Sequence, residues 1–153
     1  MFTLFLYLFA LACWLGGMIA FVAFTAVLFS RLPVTDAGKV VSTIFPYYYL
    51  TGYVAGGIGV VLTVYFALGG RGRVWWICSA ALLAAALGLT VYAGAVLRPR
   101  IEAVRGVVEQ TDPNPEQKAQ FDALHRLSVQ INGGVMLLDI LALLASAAAL
   151  SAV

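Results

Sequence analysis

Charged side chains are scarce in this chain. Of its 153 residues, 10% are Asp, Glu, Lys or Arg and 63% are hydrophobic, whereas soluble globular domains carry roughly 25% charged residues. A chain of this composition cannot hide its apolar surface in a core bounded by water, so we expect the lipid bilayer to be its solvent and first partner. The formal net charge of +2 is small and dispersed, which argues against a nucleic-acid partner.

Histidine and cysteine, which supply many metal and redox sites, are nearly absent. Cys13 and Cys78 lie in separate apolar runs without the CxxC spacing of a redox or zinc site, and we predict two free, buried thiols. The single histidine, His125, limits haem binding, because bis-histidine ligation needs a ring from another subunit or a methionine such as Met18 or Met136 as the other axial ligand. The cofactor stays unknown, haem is disfavoured, and His125 and Met136 are the candidate metal ligands.

Catalytic templates are missing as well. The chain has no HExxH motif, no phosphate-binding glycine loop followed by Lys and Ser or Thr, and no paired carboxylates. The sequence therefore names no catalytic residue. It favours a protein that is not an enzyme without excluding one.

What the chain does contain is four long apolar runs. Residues 1–30, 40–70 and 74–97 carry no charged side chain, and residues 127–153 carry only Asp139. About 20 helical residues cross the hydrocarbon layer, and continuous runs indicate helices rather than the alternating segments of a strand barrel. We therefore predict an all-α fold, an integral membrane four-helix bundle forming a single transmembrane domain over 1–153, with spans at about 3–30, 41–68, 74–97 and 127–151.

The connections between these runs are polar. Pro33 is expected to end the first helix, and Thr35 or Asp36 to cap the start of the second. The longest connection, 98–126, has a turn signal at 111–115 with Pro115 at a helix start. Apolar residues recur at helical spacing on both sides of this turn, namely Ile101, Val104 and Val108 before it and Phe121, Leu124 and Leu127 after it. We predict a short cytoplasmic helical hairpin that extends the third and fourth helices.

Lysine and arginine are distributed unevenly between the two ends of the bundle. The end with the larger loops carries seven of these residues, and the opposite end carries only Arg71 and Arg73. The positive-inside rule therefore predicts cytoplasmic larger loops and outward-facing termini in the plasma (inner) membrane. The seven residues are Arg31, Lys39, Arg98, Arg100, Arg105, Lys118 and Arg126.

Small residues mark faces on which helices can approach closely. Gly52 and Gly56 form a GxxxG spacing, and Gly16 and Gly17 give the first helix a similar face. Whether these faces pack within one chain, in a homo-oligomer or in a larger membrane complex stays open. Aromatic residues near two helix starts are expected to anchor the chain at the membrane interface: Tyr47, Tyr48, Tyr49, Tyr53, Trp75 and Trp76.

The fourth run carries a polar stripe. On a helical wheel of about 100° per residue, one arc of roughly 80° holds Phe121, His125, Ser128, Asn132, Met136 and Asp139. Asp139 lies about 21 Å deeper than His125. A carboxylate near the bilayer centre costs at least a few kcal/mol unless it is protonated, paired or hydrated, so Asp139 is expected to face the bundle.

The neighbours of Asp139 on the first helix are expected around Cys13, Trp14 and Gly16, with the Trp14 indole as a hydrogen-bond donor. Ser128 and Asn132 could bind a ligand, or they could instead form hydrogen bonds between helices. His125 has an alternative role too, in an interfacial hydrogen bond to Arg98, Arg100 or a backbone carbonyl.

Five short motifs follow one another over nearly the whole chain: WLGG at 14–17, LFSRLP at 28–33, IFPYY at 44–48, RPR at 98–100 and FxxLHxxSxxxN at 121–132. Together they resemble the transmembrane protein 205-like family of small four-helix membrane proteins. The domain of that family is largely of unknown function, and its vertebrate member is linked with resistance to platinum drugs. The motif positions that the resemblance implies are Trp14, Gly17, Arg31, Pro33, Phe45, Pro46, Arg98, Pro99, Arg100, His125, Ser128 and Asn132.

A more distant similarity is to copper-resistance D and protoporphyrinogen-oxidase-like membrane proteins, which use intramembrane histidines. This chain has none in its first or third helix.

Three functional hypotheses follow. The favoured one is binding or translocation of a small solute or cation, with a role in metal or stress tolerance, through a polar cytoplasmic vestibule leading to Asp139. That vestibule would be formed by Arg98, Arg100, His125, Ser128 and Asn132. The alternatives are a haem-binding or redox membrane subunit and a structural subunit or assembly factor of a larger membrane complex.

Overall fold

A computed structural model describes residues 1–108 and 114–152, and the regular structure in these residues is helical throughout. The helices are α1 (Phe2–Arg31), α2 (Val34–Leu68), α3 (Arg73–Tyr92), α4 (Arg98–Val108) and α5 (Pro115–Ser151). A π-helical turn over Ala93–Leu97 joins α3 to α4 without a break. The predicted all-α, four-helix fold is confirmed.

The four long helices have the length and composition of membrane spans: α1, α2, α5 and the continuous helix over Arg73–Gly106. Their outward surface is apolar. Phe5 is 62% exposed, Val61 67% and Leu144 62%, and such residues are stable at a surface only where the surrounding solvent is apolar. The four predicted runs therefore correspond to four candidate transmembrane helices.

The first connection is shorter than predicted. α1 ends at Arg31 and α2 begins at Val34, so residues 34–39 are already helical. Pro33 is the N-cap of α2, and no side chain caps this helix, so the expected capping by Thr35 or Asp36 is wrong. Proline suits a helix start because its missing N–H is not needed there and its φ is fixed near the helical value.

The turn between α2 and α3 depends on glycine. Gly72 has φ of 59°, a left-handed conformation that costs other residues more. A Cβ at this position would also lie 2.5 Å from the carbonyl oxygen of Ala149 on α5. Gly72 thus brings the α2–α3 turn against the C-terminal end of α5.

At the other end of the bundle, α4 packs on α5 as the predicted hairpin. Asn114 caps α5 by accepting a hydrogen bond from the backbone N–H of Glu116 at 2.9 Å, and Pro115 opens the helix. Of the predicted turn, residues 111–113 lie outside the described residues, as does the side chain of Val108. Arg105 of α4 donates to the carbonyl oxygen of Gly38 at 2.9 Å, which ties the hairpin to the start of α2.

The bundle interior is organised around α3, which packs on both α2 and α5, while α1 packs mainly on α2. The Trp14 indole lies against the glycine face of α2. A Cβ on Gly56 would be 2.7 Å from its ring, and one on Gly52 would be 3.1 Å from its Nε1. By contrast, a Cβ on Gly16 or Gly17 would meet nothing within 4 Å, so these two glycines take no part in packing within this chain.

The contact between Trp14 and Gly56 predicts a position-specific cost of adding one methyl group. Gly56→Ala should lower the free energy of unfolding by about 1–3 kcal/mol, because the indole must shift in a filled interior. The measurement is thermal unfolding of the detergent-solubilised protein.

The matched control is Gly57→Ala, where an added Cβ meets nothing within 4 Å. Both variants gain similar helix propensity, so their difference isolates the contact with Trp14. Equal melting temperatures for the two variants would contradict this account of the packing.

Candidate functional site

Four polar residues of α5 lie on one inward-facing line: Ser128, Asn132, Asp139 and Ser146. Asp139 follows Asn132 by seven residues and precedes Ser146 by seven, a spacing that returns to nearly the same face after two helical turns. Ser128, Asp139 and Ser146 are buried and Asn132 is partly buried. Each polar group on this line must therefore find its partners inside the protein.

On the hairpin side of Asp139 lies the amide cluster, formed by Tyr48, Tyr49, Ser128 and Asn132. The Tyr48 hydroxyl donates to Oδ1 of Asn132 at 3.0 Å, and Nδ2 of Asn132 donates to the carbonyl oxygen of Ser128 at 3.0 Å. Tyr49 is 3% exposed and lies beside both Ser128 and Asn132. The cluster joins α2 to α5.

On the opposite side lies the hydroxyl triad of Tyr7, Ser79 and Ser146, which joins α1, α3 and α5. The Tyr7 hydroxyl is 2.6 Å from Oγ of Ser146 and 3.2 Å from Oγ of Ser79, and the two serines are 3.0 Å apart. Each serine hydroxyl group also lies within donating distance of the carbonyl oxygen of Ala142. The three hydroxyl groups are therefore fully satisfied inside the bundle.

Asp139 lies between these two clusters and differs from both. Its side chain is 1% exposed, and neither carboxyl oxygen has a hydrogen-bond partner among the described residues. Seven residues of helix place it about 10 Å along the axis from Asn132 on one side and from Ser146 on the other. A buried polar group without a partner is rare in proteins and calls for a ligand, a proton or a functional reason.

The predicted hydrogen bond from Trp14 to Asp139 is not formed, because both carboxyl oxygens are unpartnered. The depth of Trp14 agrees with the expectation, however. Tyr7 of α1 meets Ser146, and α1 and α5 run antiparallel, so Trp14 lies level with Asp139. The indole packs on the glycines of α2 instead of donating to the carboxyl group.

The predicted vestibule of five residues is not assembled. Arg98 pairs with Glu102 at 2.8 Å, and Arg98 and Ser128 line one small cavity of about 20 Å³. Arg100 and His125 are exposed elsewhere, and the His125 ring stacks on Phe121 with centroids 6.0 Å apart. The helical wheel placed His125 on the polar arc, but the residue is exposed at the hairpin end of α5.

The candidate metal and haem ligands do not come together. Met136 follows His125 by eleven residues on α5, which separates them by about 16 Å along the axis, too far for two axial ligands of one iron. Met18 is buried in the core beneath Trp14. Within residues 1–108 and 114–152, no group of three or more His, Cys, Asp and Glu side chains could hold a metal ion.

Several sequence expectations about burial are wrong. Cys13 and Cys78 are free but exposed on the outer surface, because a helix that is apolar all round gives no sign of which face is inside. Tyr49 and Trp76 were expected at the membrane interface, yet they are 3% and 5% exposed. Trp76 packs edge-on against the Tyr7 ring.

Sequence reasoning missed the hydroxyl triad. Ser146 repeats the seven-residue step from Asn132 to Asp139, so extending the polar stripe by one more step would have found it. Tyr7 and Ser79 carry no such signal, because only the tertiary structure brings them to Ser146.

The length and hydropathy of the helices, with polar side chains turned inward, define the class: this is a multi-pass membrane protein. The family described as domain of unknown function DUF4149 matches residues 9–108, which are 100 of the 153 residues, and the chain belongs to that family. No curated protein and no solved structure matches the chain. The family match covers Trp14, Tyr48, Tyr49 and Ser79, whereas Asp139 lies beyond it.

The hydroxyl triad predicts a measurable link between α1 and α5. Tyr7→Phe should lower the free energy of unfolding by about 1 kcal/mol, since the serines keep each other as partners but lose the tyrosine. Chemical or thermal unfolding in detergent measures this loss.

Tyr65→Phe is the control, because that side chain is 59% exposed. In a double-mutant cycle, Tyr7→Phe and Ser146→Ala should be non-additive by about 0.6 kcal/mol or more. Strict additivity would show that the two hydroxyl groups do not stabilise each other.

Proposed function

We propose that this protein is a membrane carrier that binds a small cation at Asp139 and moves it across the bilayer. The cation that we propose is the proton. One observation carries the proposal: a carboxyl group inside the bundle is 1% exposed and has no hydrogen-bond partner among the described residues. Without a donor, a cation or water, the charged carboxylate is strongly disfavoured in an apolar interior, so the site favours the protonated acid.

The ligand set favours a proton over a metal ion. Calcium takes six to eight oxygen ligands and magnesium demands near-octahedral coordination, whereas Asp139 offers two oxygens and no other acidic side chain clusters with it in the described part of the chain. Tyr7 and Tyr48 are titratable side chains that lie close enough to Asp139 to be influenced by its charge. A single proton satisfies such a carboxyl group without further ligands.

The position of the carboxyl group supports movement rather than storage. Asp139 lies near the middle of the apolar part of α5, with the amide cluster towards one membrane face and the hydroxyl triad towards the other. Intramembrane carboxyl groups flanked by other polar groups are typical of proton relays in transporters. The proposal includes a small solute whose translocation is coupled to the movement of the proton. The resemblance to the transmembrane protein 205-like family suggests a role in metal or stress tolerance.

Orientation completes the proposal. The amide cluster lies at the end that carries seven of the nine lysines and arginines, so the positive-inside rule places it on the cytoplasmic side of the plasma membrane. Protons would then pass between Asp139 and the cytoplasm by way of this cluster.

Carbodiimide modification tests the site directly. Dicyclohexylcarbodiimide dissolves in apolar environments and reacts with protonated carboxyl groups, so it should modify Asp139 in detergent-solubilised protein. Peptide mass spectrometry locates the adduct. In liposomes loaded with a pH-sensitive dye, the wild-type protein should dissipate an imposed proton gradient at least about tenfold faster than Asp139→Asn.

Asp122→Asn is the matched control, since Asp122 lies on the same helix but is exposed; it should retain wild-type flux. Protection of Asp139 from the reagent by one added metal cation, but not by others, would replace the proton with that cation as the ligand. Absence of any adduct at Asp139 in folded protein would overturn the proposal.

A structural subunit is the second candidate, and one observation favours it. Gly16 and Gly17 on α1 and Gly133 and Gly134 on α5 would each accept a Cβ with nothing within 4 Å, so these small faces are unused within the chain. Small residues in membrane helices commonly mark contacts with another helix.

This second candidate predicts a partner that depends on the glycines. Gly16→Leu should abolish a stable complex observed by native mass spectrometry after gentle extraction from the native membrane, while the isolated chain unfolds at an unchanged temperature. Gly88→Leu, on α3, is the control because it also has open space around it. A monomer in the wild-type preparation would remove this candidate.

A further inference from the structure

A small cavity links the polar hairpin to the amide cluster. It has a volume of about 20 Å³, enough for about one water molecule. Arg98, Glu102 and Arg105 line it on the α4 side, and Ser42, Tyr49 and Ser128 line it on the inner side. The cavity therefore lies between charged groups that water reaches and side chains that belong to the bundle interior.

Proline adds a polar group at this cavity. Pro46 lies inside α2 and has no backbone N–H, so the carbonyl oxygen of Ser42 lacks its usual helical partner four residues on. A carbonyl oxygen without a helical hydrogen bond attracts water. Ser42 and Ser128 both line the cavity, so its wall includes the residue whose carbonyl oxygen lacks this helical partner.

Tyr49 closes the inner end of the cavity. Its ring is the middle one of three stacked on α2, with Phe45 at 5.7 Å and Tyr53 at 6.3 Å between centroids. The side chain lines the cavity and also lies beside Asn132. Tyr49 thus lies between the cavity and Asn132, the polar residue of α5 that precedes Asp139.

The π-helical turn holds Tyr49 in this position. A Cβ on Gly94 would lie 2.8 Å from Cγ of Tyr49 and would collide with the Tyr53 hydroxyl, so only glycine allows the two rings to lie so close to the turn. π-helical turns within α-helices occur frequently at functional sites. The Tyr49 ring is therefore packed directly on the backbone of Gly94, where there is no room for a side chain.

On the opposite side of Asp139, aromatic rings cover the hydroxyl triad. The Tyr7 hydroxyl is buried in the triad, and its ring is covered edge-on by Phe66 at 5.9 Å and Trp76 at 5.8 Å. A larger cavity of about 590 Å³ at that end has Phe66 and Trp76 in its wall but not Tyr7 or the serines.

We propose that the route by which protons reach Asp139 runs through the Ser42–Ser128 cavity, with Tyr49 as the barrier that Gly94 holds in place. The inference deepens the proposed function, on which it rests, by naming the side of access and a positioning residue. Arg98, Glu102 and Arg105 line this cavity on the α4 side. A cavity for one water molecule lets a proton pass along hydrogen bonds without admitting a hydrated ion.

The test compares a water-soluble carbodiimide, supplied with an amine nucleophile, with the apolar dicyclohexylcarbodiimide. In wild-type protein the apolar reagent should modify Asp139 and the water-soluble reagent should modify it slowly, relative to exposed Asp122. Tyr49→Ala should raise the rate with the water-soluble reagent by about tenfold. Gly94→Ala, which pushes the Tyr49 ring off the turn but keeps it, should raise this rate by a smaller factor.

Two variants serve as controls. Tyr53→Ala removes a ring of the same stack that does not line the cavity, and it should leave the rate unchanged. Trp76→Ala opens the opposite end and should also have no effect. Unchanged modification of Asp139 by the apolar reagent, together with an intact melting transition, shows that each variant is folded; should Tyr49→Ala fail this check, Gly94→Ala decides.

The outcomes separate the two proposals. If the apolar reagent does not modify wild-type Asp139, the proposed function fails. If it does, but access for the water-soluble reagent rises in Trp76→Ala and not in Tyr49→Ala or Gly94→Ala, the route lies at the other end and only the present inference is overturned.

Discussion

Polar side chains inside this bundle cannot hydrogen-bond to bulk water, and the rest of the structure depends on that constraint. A hydroxyl or amide group on a membrane helix must be paired with another protein group or pay for desolvation. The Tyr48–Asn132 and Tyr7–Ser146 hydrogen bonds meet this requirement by joining α5 to α2 and to α1. Because lipid offers no hydrophobic drive for helix association, such contacts and close packing fix which helix faces turn inward.

Close packing also fixes which helix faces turn inward. It depends on two glycine surfaces. Gly52 and Gly56 leave room for the Trp14 indole, and Gly94 leaves room for Tyr49 and Tyr53. In each case a large aromatic side chain fills the space that a missing side chain leaves, which is how interiors reach native density. Tyr49 also lies beside Ser128 and Asn132 on α5, so packing and polar chemistry share this residue.

The sequence predicts the helices well because a membrane span requires a long apolar run, and the predicted hairpin follows from the helical spacing around Pro115. It predicts the interior less well. The helices are apolar on every side, so an amphipathic pattern that would separate Cys13 from Tyr7, or Tyr47 from Tyr49, does not exist. The inward orientation of Asp139 is predictable because a carboxyl group is too costly to face lipid, whereas a tyrosine or serine is not. The vestibule was predicted wrongly because a helical wheel cannot show where a neighbouring helix ends.

Interhelical hydrogen bonding accounts for most of the polar line, but it does not account for Asp139. Ser146 and Asn132 each have protein partners at 3.2 Å or closer, so packing alone explains their presence. Among the described residues Asp139 has none, and a leucine or methionine at this buried position would stabilise the bundle more. Packing therefore gives no reason for a carboxyl group at this position, whereas the proposed binding of a proton gives one. Binding and release of a proton is the simplest change of state that a carboxyl group can undergo.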